Sequence, residues 1–152
     1  MKISGGKAIN RNVLRYVNHL VYLLDTDTCI FLLNRKNLLA EKRLRELSGE
    51  GVALSAITMA ELYFGAMHSE KKKINEERVR IFCSSFTIRP FDAESAQIFG
   101  ATKELLVKQG AMIGVMDLLI ASIALSKNAI LVTHNTKELQ RIPGLRTEDW
   151  FE

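Results

Sequence analysis

The run Val21-Tyr22-Leu23-Leu24 leads straight into Asp25-Thr26-Asp27-Thr28. Four apolar residues without polar alternation suit a strand covered on both faces, as in a parallel sheet with helices above and below. Parallel strands in turn require helical crossovers, so this one stretch commits the chain to an α/β architecture. Carboxylates at the end of such a strand stand where open α/β sheets place their chemistry, outside the carboxyl ends of the strands. Asp25 is therefore read as the first ligand of a metal site on which later acids converge.

The remaining elements agree with that demand. Thr28 to Asn34 reads as a short helix, and Asn37 caps a second helix carrying Leu38, Leu39, Leu44 and Leu47. Ser48-Gly49-Glu50-Gly51 breaks it, and Val52-Ala53-Leu54-Ser55 is a second buried strand. Thr58 to His68 reads as helix, followed by a charged helical run, Ser69 to Arg80. Phe86-Thr87-Ile88 is a third strand closed by Pro90. Asp92 and Gly110 bracket a long helix, Ala93 to Gln109. A nearly all-apolar helix follows over about Met116 to Lys127, then a fourth strand, Ala129 to Thr133. His134 to Arg141 is a loop or short helix, and Pro143-Gly144 turns into a last short strand before Trp150. The expected fold is one α/β domain, with a central parallel sheet of about four to five strands flanked by helices.

Charge is uneven. Lys2, Lys7, Arg11 and Arg15 are the only charged residues before Asp25. Of 21 basic residues that leaves 17, against 17 acids in the rest of the chain. The formal +4 thus belongs to the N-terminal stretch, and overall charge does not argue for nucleic-acid binding. Residues 1–20 read as an N-terminal extension, a short helix or a disordered arm, ahead of a domain over 21–152. Cys29 and Cys83 have no C-x-x-C or Cys/His spacing, as expected of buried, reduced thiols in a cytoplasmic protein. No segment has the roughly 18 apolar residues of a membrane span.

Three acids share a context. Asp25 follows the first strand, Glu61 lies one helical turn after the second, and Asp117 begins the apolar helix. Each has a plain structural alternative. Asp25 or Asp27 can cap the next helix, Thr58 and Glu61 have capping-box spacing, and Asp117 can complement a helix dipole. Asp117, however, is the only charged residue between Lys108 and Lys127. Burying it costs several kcal/mol unless something cationic meets it. Converging carboxylates suit a hard cation held by oxygen, Mg²⁺ or Mn²⁺, which can activate water for phosphodiester hydrolysis.

Leu23-Leu24-Asp25-Thr26-Asp27-Thr28, Ser55-Ala56-Ile57-Thr58-Met59-Ala60-Glu61-Leu62 and Ile113-Gly114-Val115-Met116-Asp117-Leu118-Leu119 follow one another in the chain. With Leu131-Val132-Thr133-His134-Asn135 and Pro143-Gly144-Leu145 through Trp150, they resemble the successive motifs of the PIN-domain toxins of the VapC family. The resemblance covers about residues 21 to 151. It implies a PIN-like fold and a Mg²⁺-dependent endoribonuclease, the toxin of a type II toxin–antitoxin pair. It implies a homodimer held in check by a VapB-like antitoxin, with RNA as substrate and operator DNA met only through the antitoxin. Carried onto this chain, Asp25, Glu61 and Asp117 take the family's acidic, metal-holding positions. Asn135 falls where many relatives have a fourth acid, with Glu138 as a substitute. Asp27 stands where the family prefers Asn, and Ile123 where many relatives have His.

Two other readings compete. Strand-Asp25-Thr26-Asp27 also has the D-x-D pattern of haloacid-dehalogenase-type phosphatases, but only 19 residues follow Thr133 and they hold no paired-acid motif. The other is a PIN-fold module that acts by binding its antitoxin and cuts weakly. For phosphate contacts the better candidates are Arg35, Lys36, Lys42, Arg43 and Arg45; Lys71-Lys72-Lys73 reads as a solvated helix face.

Overall fold

The computed structural model describes residues 21–47 and 51–152. The expected N-terminal extension, residues 1–20, and most of the expected helix break, residues 48–50, lie outside the described residues. Tyr22–Leu24 forms strand β1, fully buried, as its lack of alternation requires. The other strands are β2 (Val52–Ser55), β3 (Thr87–Arg89), β4 (Ile130–Val132) and β5 (Arg146–Glu148). All pairings are parallel, in the order β3-β2-β1-β4-β5. The chain moves outward from β1 to β2 and β3, then returns to lay β4 on β1's other side. The switch point therefore lies between β1 and β4, where open sheets form a crevice at the strands' carboxyl ends.

Among the described residues, seven helices cover the sheet: α1 (Thr26–Leu33), α2 (Leu38–Glu46), α3 (Ala56–His68), α4 (Lys72–Ser84), α5 (Ala93–Gln109), α6 (Val115–Ser126) and α7 (Thr136–Leu139). Alternate strand residues feed two cores. Tyr22, Leu24, Leu54 and Val132 pack with Cys29, Leu62, Val79, Cys83 and Trp150. Leu23, Ala53 and Leu131 pack with Leu106, Leu118, Ile120, Ile123 and Leu139 on the opposite side. Leu23, Leu24, Leu54 and Leu131 are at most 1% exposed. Each such side chain contributes about 1.5–3 kcal/mol by burial.

Several helix boundaries follow from single residues. Asn37 Oδ1 accepts from Ala40 N at 3.0 Å, and Asp92 Oδ1 accepts from Ser95 N at 2.9 Å. Gly110 closes α5 at φ 63°, a left-handed conformation that glycine adopts without penalty. The start of α3 differs from the expectation. Ser55, not Thr58, is its cap, with Ser55 Oγ accepting from Thr58 N at 2.9 Å. Thr58 sits inside the helix, so Thr58 and Glu61 form no capping box and Glu61 is free for another role. The start of α1 likewise moves back to Thr26, with Asp25 as its cap. The charged run does not begin a helix at Ser69; α4 starts at Lys72. Cys29 and Cys83 are free and buried, as expected.

Candidate active site

Asp25 ends β1 at the switch point and is 5% exposed. Its two oxygens are each held. Oδ1 accepts from Thr26 N at 2.8 Å, and Oδ2 accepts from Thr133 Oγ1 at 2.8 Å. Thr133 follows β4, the strand beside β1, so the parallel pairing of β1 and β4 is what brings residues 25 and 133 together. Asn135 N donates to Thr133 Oγ1 at 3.0 Å, extending the chain of hydrogen bonds. Burial first, and then the charge of Asp27, pushes the Asp25 carboxyl up to about 7. The bonds from Thr133 and Thr26 pull the other way, and Asp117 adds to the rise.

Glu61 projects from the second turn of α3, half-buried. Its Oε1 accepts from Thr26 Oγ1 at 2.7 Å, and the same hydroxyl lies 3.2 Å from Thr58 Oγ1. Thr26 is thus the hinge between the two acids: its backbone N–H holds Asp25 and its hydroxyl holds Glu61. Asp117 stands in the first turn of α6. Burial raises its pKa, followed by the charges of Glu138, Glu61 and Asp27. Gly114 precedes that turn. A Cβ there would lie 3.3 Å from Asp117 Oδ2, so the glycine leaves the carboxylate its room.

Asn135 and Glu138 form the far wall. Asn135 Nδ2 donates to Glu138 Oε2 at 3.0 Å, so the amide's side chain supports Glu138 and its backbone supports Thr133. Asp27 is half-buried. Its Oδ1 accepts from Thr28 N at 2.6 Å and its Oδ2 from His134 N at 3.3 Å, pinning the turn after β4. Ile123 is fully buried in the α5–α6 core and offers the site no polar contact.

The charges that act on Asp25 and Asp117 are all negative. No lysine or arginine offsets them among the described residues. The available donors are carboxylate, amide and hydroxyl oxygens, which suit a hard cation rather than zinc. Cys29 is unsuited as a ligand, because burial raises its thiol pKa well above the ordinary value. No three acidic, histidine or cysteine side chains among the described residues stand close enough to hold one ion together. An ion here would rest on fewer direct carboxylates and keep several waters, the habit of Mg²⁺.

Sequence reasoning singled out the acids but missed the hydroxyls of Thr26 and Thr133 that orient them, and that of Thr58 beside Thr26. The basic group on α2 is partly offset from within. Lys42 and Arg43 lie 3.9 and 3.7 Å from Glu46, and Arg45 lies 3.8 Å from Glu41. Lys71, Lys72 and Lys73 are exposed, as a solvated helix face requires.

Comparison with known proteins identifies the family. The PIN domain family matches residues 22–145. The chain is 39% identical to Ribonuclease VapC2 of Rickettsia felis over 132 residues, covering 86% of this chain and 98% of the relative. It is 36% identical to the tRNA(fMet)-specific endonuclease VapC of Shigella flexneri over 131 residues, with the same coverage. The fold superposes on the structure of VapBC2 from Rickettsia felis bound to a DNA fragment from their promoter, with TM-score 0.82 and 38% identity over 86% of this chain and 99% of that one. That family assignment removes the phosphatase reading. With the parallel five-stranded sheet, it follows that the chain belongs to the VapC family of PIN-domain ribonucleases.

Proposed function

We propose that this chain is a divalent-metal-dependent endoribonuclease in which Asp25 and Asp117 hold the ion and Glu61 assists. The observation that carries this is the burial of Asp25 among acids with no lysine or arginine to meet them among the described residues. A bound Mg²⁺ or Mn²⁺ would lower the pKa of a coordinated water and offset the charge that develops on a phosphodiester. The chain's own residues prepare that chemistry. Thr133 and Thr26 fix both oxygens of Asp25 and favour its ionised form. The Thr26 hydroxyl turns Glu61 toward the same crevice. Asn135 holds Thr133 through its backbone N–H and Glu138 through its amide, so its role is to position these groups.

The substrate is RNA, and the partner is a VapB-like antitoxin, as in the VapBC complexes of related chains. In this reading the toxin works in the cytoplasm as a homodimer and meets operator DNA only through its antitoxin. No helix among the described residues is long and apolar enough to cross a membrane.

The test is RNA cleavage in Mg²⁺, in Mn²⁺ and in EDTA. Asp25→Asn and Asp117→Asn should each lower the rate by at least about 100-fold, since changing groups that merely support a ligand already costs 10–100-fold. Full activity in EDTA, or in both variants, would sink the metal reading. Growth arrest on expression, relieved by a co-expressed antitoxin, separates a toxin from a housekeeping nuclease.

A further inference from the structure

Three aromatic rings stand together beside the acidic crevice. Phe31 lies on α1, His134 directly follows Thr133, and Phe151 is next to last in the chain. The Phe31 and Phe151 centroids are 4.8 Å apart. His134 meets Phe151 edge-on at 5.5 Å and Phe31 at 6.5 Å. Phe31 is 36% exposed and the His134 side chain 56%, whereas Phe151 is half-buried and rests against the core.

This cluster is held in place by a carboxylate. Asp149 Oδ1 accepts from Phe151 N at 2.9 Å, and Asp149 Oδ2 lies 2.8 Å from His134 Nδ1. The Asp149 side chain is only 13% exposed. His134 is tied to the site from the other side as well. Its backbone N–H donates to Asp27, and its neighbour Thr133 donates to Asp25. His134 thus joins the ring cluster to the turn whose bonds hold Asp25 and Asp27.

A cluster of aromatic rings with exposed faces beside a phosphate-handling site suits an unpaired nucleobase, which stacks on such rings whatever its identity. We propose that Phe31, His134 and Phe151 form a stacking platform for an unpaired base flanking the scissile phosphate. The proposal rests on the ribonuclease reading above. Asp149 is its positioning residue.

The test scans a single-stranded RNA that the wild-type chain cuts in Mg²⁺, replacing one nucleotide at a time by an abasic residue. The platform requires that loss of one base beside the cut raises KM by about 5- to 150-fold, the range of one base–aromatic stack, while other positions change little. Phe31→Leu and Phe151→Leu should raise KM on the intact RNA by a similar factor and make the abasic substitution nearly harmless. Phe31→Tyr and Phe151→Tyr should restore wild-type behaviour. Asp149→Ala should raise KM with little change in kcat. The abasic scan on the wild type does not depend on any variant folding. A flat scan, or penalties for base and ring that simply add, would overturn the platform while leaving the ribonuclease reading intact. Leucine variants that cut normally but lose antitoxin binding would make this a protein-docking surface and also overturn it. If the wild type cuts no RNA, both readings fall.

Discussion

Thr133 and Thr26 give Asp25 one hydrogen bond on each oxygen, enough to orient it but not to offset its burial. The consequence is a pH-dependent stability whose sign can be worked out. Asp25 has an ordinary value of 3.8 and a folded value of about 7. Below 3.8 both folded and unfolded chains are protonated and no stability is forfeited. As pH rises toward 7 the unfolded chain ionises first, so the folded state loses stability, up to roughly 4 kcal/mol above that. Asp25→Asn removes the buried charge and keeps an oxygen for Thr133. In EDTA it should raise the melting temperature at pH 8 by several degrees, at about 2–4 °C per kcal/mol, and by clearly less at pH 5. Calorimetry at the two pH values checks this, and an equal gain at both would show that charge burial is not the cause. Adding Mg²⁺ should raise the melting temperature of the wild type and leave that of Asp25→Asn nearly unchanged.

Elements position these residues, and the start of α6 does so with least tolerance. Gly114 stands at the helix entrance with φ −57° and ψ 143°, a conformation open to any residue. A Cβ there would lie 3.3 Å from Asp117 Oδ2, so the carboxylate would have to give by a few tenths of an ångström. Gly114→Ala should therefore fold with an unchanged or slightly higher melting temperature. It should also displace Asp117 and weaken the stabilisation by Mg²⁺ by several-fold in apparent affinity. Thermal melts across a Mg²⁺ titration separate the two effects, and an unshifted titration would mean that the added Cβ does not disturb how the ion is held. Element boundaries also divide what the chain makes legible from what it hides. Helix α5 is readable in the sequence because Asp92 and Gly110 act locally at its two ends. The start of α3 is not, because Ser55 and Thr58 are both good caps and only the end of β2 decides between them. Asp117 stands out by its isolation in an apolar run. The bond from Thr133 to Asp25 spans 108 positions and leaves no local trace. The same holds for the meeting of Phe31, His134 and Phe151.

For the whole molecule, the sheet order places β1 at the centre, so every candidate ligand reaches the crevice from a segment next to β1 or across from it. The described architecture is tied in from residue 21: Ile130 N donates to Val21 O, and Tyr22 N donates to Gly51 O. The family match starts at residue 22. A fragment of residues 21–152 keeps all of those bonds and both cores, but it lacks Lys2, Lys7, Arg11 and Arg15 and becomes formally neutral. It should unfold cooperatively within a few degrees of the full chain and cut RNA with the same kcat. Its RNA affinity should depend less on salt. If all four cations meet phosphates of a single strand, their removal would flatten the slope of log K against log salt by about 3. Measured in Mg²⁺ over a range of monovalent salt, a flatter slope with unchanged kcat would assign the extension to RNA capture and leave catalysis to the domain. An unchanged slope would put the RNA track wholly on residues 21–152, with exposed Lys137 following His134 closely and exposed Arg35 following Phe31 as its nearest cations to the aromatic cluster in sequence.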